Sequence, residues 1–174
     1  MTSEAWWTTP TAQASMQAIG EAVAREFGEA SKEDEAGPLS RGYIGRRLDH
    51  ATQAVVVVVD PEVVDMLQLT ERLSSAPGVG GIRLRVESGA HTVAELLEAQ
   101  AVLRERAWHP RAAQVPIAFE LGADSRFIVT LPQEDEDVAR ALTARLGDRV
   151  RIEWGTARRT PRRAPQEPRS NPLD

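Results

Sequence analysis

The chain has 174 residues, 41% of them hydrophobic, and a net charge of −5 at neutral pH. That length supports one domain, or two small lobes sharing a core, without covalent staples. With no cysteine it has no disulfide, thiolate nucleophile or thiolate metal site, and the acidic balance argues against nucleic acid as a partner of the whole molecule.

The first residues, Met1 to Thr8, lack the basic-then-apolar order of a secretory leader. A complete chain is therefore expected in the cytoplasm, and a processed fragment would be secreted. The longest apolar run, Ala54 to Val59, is far short of the roughly twenty residues that span a bilayer. Trp6 and Trp7 are expected to dock on the chain's own core, with a partner anchor as the other use for paired indoles. Thr9 then offers an N-cap ahead of Pro10, and Met16, Ile19, Val23 and Phe27 recur at helical spacing. These predict a helix over about residues 10–29, followed by a charged linker broken at Gly37-Pro38, so that residues 1–40 form an appendage.

From here the chain is built twice. Ile44, Leu48, Val55, Val56, Val58, Leu69 and Leu73 are answered by Ile117, Leu121, Ile128, Val129, Leu131, Leu142 and Leu146, at 117 − 44, or 73. Arg83 to Gly89 then matches Arg149 to Gly155 at 149 − 83, or 66, so the first copy has seven extra residues near Ser75 to Gly81. Copy one, residues 41–90, reads as strand Gly42 to Leu48, turn, an all-buried strand Ala54 to Val59, a helix starting at Asp60-Pro61, and strand Ile82 to Val86. That helix is expected to bury Val63, Val64, Leu67, Leu69 and Leu73. A connecting segment, residues 91–112, holds a helix with a capping box formed by Thr92 and Glu95, running toward Trp108 until Pro110 stops it. Copy two, residues 113–155, repeats strand Val115 to Leu121, strand Phe127 to Leu131, helix Glu134 to Leu146 and strand Arg149 to Trp154. Residues 156–174, with five arginines and four prolines, are expected to form a disordered tail. The fold class is α+β: two ββαβ lobes joined by a helix, preceded by an N-terminal helix.

The arrangement resembles the pro-region of secreted bacterial serine proteases of the α-lytic protease and streptogrisin type. The likeness covers about residues 40–156 and rests on four pieces. These are Gly42-Tyr43-Ile44-Gly45 with Leu48-Asp49 and Val55 to Pro61; Ile82 to Val86; the helix with Thr92, Leu96 and Leu103; and Phe127-Ile128-Val129 with Leu146-Gly147. The resemblance implies no catalysis. It implies a folding helper and inhibitor whose last strand pairs with a protease hairpin while the next segment lies in the substrate cleft. The corresponding contact residues would be Arg149, Arg151, Glu153, Trp154, Gly155, Arg158 and Arg159, the partner a protein such as a serine protease, and no cofactor would be needed. Read as complete, the chain is expected to lack a leader and to stop at Asp174, where that family continues into the protease. Action in trans, reuse for another interaction, or a relic are the three ways to accommodate this.

The residues suggest little chemistry of their own. No Gly-x-Ser-x-Gly segment is present, and His50, His91 and His109 read as surface polar residues without metal-ligand spacing. The acidic run Glu134 to Asp137 falls in a helix first turn, where it offsets the positive dipole end. Residues 77–81 follow a helix and precede a strand, the wrong order for a phosphate loop. Arg158, Arg159, Arg162 and Arg163 keep the tail solvated or meet an acidic partner. Beside a protein-binding module, two other classes are carried. One is a ligand- or cation-binding enzyme with a site between the lobes near Asp60, Glu87 and Glu153; the other is a structural subunit joining like copies edge to edge.

Overall fold

The structure, a computed structural model, describes residues 5–28 and 37–155. Its elements are α1 (Pro10–Phe27), β1 (Tyr43–Asp49), β2 (Ala54–Val59), α2 (Met66–Ser74), β3 (Arg83–Ser88), α3 (Val93–Glu105), β4 (Ala118–Leu121), β5 (Phe127–Leu131), α4 (Glu136–Leu146) and β6 (Val150–Trp154). They build two three-stranded sheets, ordered β1-β2-β3 and β4-β5-β6. In each, the first strand runs antiparallel to the central one and the third runs parallel to it. The α+β class and the two ββαβ lobes are as the sequence predicts.

The copies are in phase differently from the sequence match. Val55 pairs with Leu48 and Leu84, and Phe127 pairs with Leu121 and Val150. The central strands therefore correspond at 127 − 55, or 72, with Val55, Val57 and Val59 answered by Phe127, Val129 and Leu131. These residues face the helices of their own lobe. The shift arises in the hairpins, because 49–54 separates Leu48 from Val55 whereas 122–126 separates Leu121 from Phe127.

The first crossover also differs from expectation. Asp60 ends β2 in a turn, and the helix starts only at Met66, where the Asp65 carboxylate accepts from the Leu67 and Gln68 N–H groups at 3.0 and 3.1 Å. Leu69 and Leu73 are buried, but Val63 is 52% and Leu67 81% exposed. Val63 falls in the turn before the helix, and Leu67, two residues from Leu69, lies about 200° round the helix from the buried stripe. At the other end, α3 stops at Arg106 in the left-handed region (φ 54), so Trp108 lies beyond the helix.

The seven extra residues of copy one seat α1. Their 3-10 turn, Val79–Gly81, buries Val79 against the α1 cluster, and the Gly81 N–H donates to Ser15 Oγ at 3.1 Å. A Cβ on Gly81 would fall on that hydroxyl, so only glycine admits the helix this closely. In copy two α3 likewise touches the turn that follows α4, Gly147–Arg149, and shares a core with α4 and β5. The repeating unit is thus αββαβ, each copy beginning with its own covering helix.

The lobes share one core rather than meeting at a wet seam. Val56, Val58 and Ile44 of lobe one lie in the same apolar cluster as Leu96, Leu103, Phe127, Val129 and Leu142. The Asp60 carboxylate, 1% exposed, accepts from the Glu62 N–H at 2.9 Å and from the Val93 N–H at 2.6 Å, pinning the start of α3 to the end of β2. Beside it, Ser125 Oγ accepts from the Ala90 N–H at 3.1 Å. An added Cβ on Gly45 would come within 3.1 Å of the Ala123 backbone, so a larger residue there would press the lobes apart by a few tenths of an ångström.

Candidate functional site

Strand β6 forms one border of the second sheet and pairs, among the described residues, only with β5. Within a strand, successive residues turn their backbone groups to opposite sides. The Gly155 N–H donates to Leu131 O at 3.0 Å, so Arg151 and Glu153 also point theirs at β5. The N–H and C=O groups of Val150, Ile152 and Trp154 therefore point outward, an unpaired row able to receive another strand. The side chains alternate independently. Val150 and Ile152 join the core, and Arg151 and Glu153 stand on the sheet's outer face opposite Ile128 and Thr130.

The sequence-predicted contact residues fall into three groups. Arg151, Glu153, Trp154 and Gly155 lie together on this border, and Trp154 is 47% exposed. At the strand's end, no element among the described residues covers it. Arg149 is spent within the chain: Nε donates to Leu146 O at 3.1 Å and Nη1 pairs with Glu98 at 2.9 Å. Arg158 and Arg159, with the rest of the proposed tail, lie outside the described residues. Val150 and Ile152 were not singled out from the sequence. Their signal is strand parity, which becomes readable only once β6 is known to pair on a single side.

The carboxylates considered for a site between the lobes are each engaged separately. Asp60 binds the two backbone N–H groups above, and Glu153 stands 3.5 Å from Arg151 on the far sheet. Glu87 takes part in a chain of ion pairs that crosses over Val56. Arg47 reaches Glu87 at 2.7 Å, and Arg85 reaches both Glu87 and Asp49 at 2.8 Å. A cleft of about 650 Å³ lies within lobe one, between the residues leading into α1 (Trp6, Thr9) and its first turn (Ala12), the first hairpin (Gln53) and Gly81 with Arg83.

The histidines differ from a uniform surface reading. His50 packs against Trp7 and Trp6, at ring-centre distances of 4.4 and 6.1 Å, which gives the two indoles a partner within the chain. His91 is largely buried, 3.8 Å from Glu95 and 3.6 Å from Asp148. His109 accepts from the Arg111 N–H and stands 3.4 Å from Asp137. The acidic run does sit at the start of α4, and Arg111 binds both Asp135 and Asp137.

Three carboxyls are held below their ordinary pKa values. The Thr52 hydroxyl and N–H lower that of Asp49, helped by Ala51 and Arg85. The Thr92 N–H lowers that of Glu95, against some desolvation. Desolvation raises that of Asp137, but the Val138 N–H, Arg111 and His109 together outweigh it. A carboxyl depressed on folding stabilises fully above its unfolded value and loses that contribution as pH falls through its folded one. The melting temperature should therefore hold from neutrality down to the ordinary values of 4.5 for Glu95 and 3.8 for Asp49 and Asp137, then decline as pH falls further. A thermal denaturation series across acidic pH checks this; a decline beginning well above pH 5 would implicate other groups.

No protein-family model matches the chain, and no curated protein matches it.

Proposed function

We propose that the chain is a non-catalytic protein-binding module whose contact element is the border strand β6, together with the segment that continues from Gly155. The observation that supports this best is the outward row of backbone groups on Val150, Ile152 and Trp154, with a half-exposed indole at its end. Strand addition uses such a row for affinity and adjacent side chains for specificity, and tryptophan is a frequent anchor at interface centres. The resemblance to protease pro-regions supplies the partner class, a serine protease of the streptogrisin type, which the chain inhibits or helps to fold from outside the protease polypeptide.

Ile152→Pro is the discriminating substitution. The Ile152 N–H points away from β5, so proline removes an outward donor while leaving the β5–β6 ladder its bonds. Titration of a purified streptogrisin-type protease with the 174-residue chain should give saturable inhibition. Ile152→Pro should weaken it by more than about tenfold, and so should removal of residues 156–174, with the fold retained in both. Absence of inhibition by the unaltered chain, or full potency in the proline variant, rules the reading out.

A further inference from the structure

The side chains flanking the outward row are self-complementary. If two copies of β6 run antiparallel about a two-fold axis at Ile152, each outward residue meets an outward residue: Ile152 its own copy, and Val150 the Trp154 of the other chain. Such facing pairs exchange both backbone hydrogen bonds. On the outer face Arg151 then stands opposite Glu153 of the other chain, and Glu153 opposite its Arg151, so both cross-strand contacts join opposite charges. Sliding the pairing by one step of two residues in either direction also matches outward groups, but it sets Arg151 against Arg151 or Glu153 against Glu153. The charge order thus selects one alignment of the three.

We propose that β6 pairs with the β6 of a second copy of this chain in that alignment, joining two three-stranded sheets into a continuous six-stranded one about an isologous interface. The inference rests on the reading of β6 as a receptive border. It deepens that reading by naming an occupant that competes with any other partner for the same backbone groups.

Strand β3 carries the same order, Arg85-Val86-Glu87, and is also a border strand. Its charges are already satisfied, since Arg85 sits 2.8 Å from both Asp49 and Glu87, and Glu87 sits 2.7 Å from Arg47. On β6 the Arg151 contacts are longer, 3.3 Å to Asp124 and 3.5 Å to Glu153, and the Arg151 and Glu153 side chains are 47% and 54% exposed. These two side chains give up only long contacts on turning to a facing strand, whereas the β3 pair would give up three contacts of 2.7 to 2.8 Å.

Sedimentation equilibrium of the full chain over a concentration series should show a monomer–dimer equilibrium. Arg151→Glu and Glu153→Arg each place like charges opposite one another at both symmetric contacts, and each should raise the dissociation constant about tenfold. The double variant R151E/E153R restores opposite charges and should return the constant to within about threefold of the original. A monomer at every concentration, species growing beyond the dimer, or a double variant no better than the singles overturns the proposal. The protease titration run on the same proteins separates it from the binding reading. A charge-independent monomer whose inhibition still fails with Ile152→Pro removes self-pairing alone. A charge-swap series that behaves as expected in a chain that inhibits no protease removes the protease partner alone.

Discussion

Asp60→Ala should destabilise the protein by about 3 kcal/mol, a fall in melting temperature of roughly 6 to 12 °C for a chain of this size. The carboxylate is buried and holds two backbone N–H groups, one of them at the first turn of α3. Alanine leaves the Val93 N–H without a partner in a place water does not reach, which costs more than the bond itself contributes, and the part-buried Glu62 N–H loses its acceptor as well. Asp60→Asn retains an oxygen for the Val93 N–H and should cost about half as much. Chemical denaturation of the two variants beside the original measures the difference. A loss below about 1 kcal/mol for alanine would mean that the lobes are held by apolar packing alone.

Leu96→Ala should cost about 3 to 4 kcal/mol, because the side chain is fully buried in the cluster shared by both lobes and its removal leaves a cavity. The same change at Leu67, 81% exposed, should stay within about 0.5 kcal/mol and serves as the control. Since Val56 and Val58 of the first sheet pack in the cluster that contains Leu96, Phe127 and Leu142, the Leu96 variant should melt as one unit. Coincident transitions by indole fluorescence and far-ultraviolet circular dichroism would bear this out. Separate transitions for the two lobes would show that the common core contributes little coupling.

The parts of the fold legible in the sequence are those where a local physical signal acts alone. Thr9 before Pro10, the reciprocal bonds of Thr92 and Glu95, and the limits of Ala54–Val59 and Phe127–Leu131 all match the structure. Phase along β2 was not legible. Five consecutive valines buried on both faces present no apolar-polar alternation, so nothing in that strand distinguishes a match at 73 from one at 72. The start of α2 was missed for a similar reason: Val63 and Val64 continue the apolar pattern, and the competing signal is a single capping aspartate, Asp65.

The same limits apply to the candidate site. A charged and aromatic last strand was visible as Arg151, Glu153 and Trp154. Which of its backbone groups face outward depends on β6 pairing in parallel and, among the described residues, on one side only, a long-range fact. Arg149 looked equivalent to its neighbours in the sequence, yet the turn after α4 directs it inward to Leu146 and Glu98. Arg83, its match at the other end of the 66-residue offset, is exposed instead.

A duplicated chain runs a hazard that a single unit does not, because equivalent helices can trade places within a molecule or between molecules. The berth made by Val79 and Gly81 removes that ambiguity for α1. Its glycine admits Ser15 on a buried helix face that also carries Ala12, Ile19, Ala22, Val23 and Phe27, whereas Gly147 in the shorter second crossover has open space where a side chain would go. Seven residues inserted in one half thus make the two crossovers unlike, a difference of the kind that disfavours exchange between like helices.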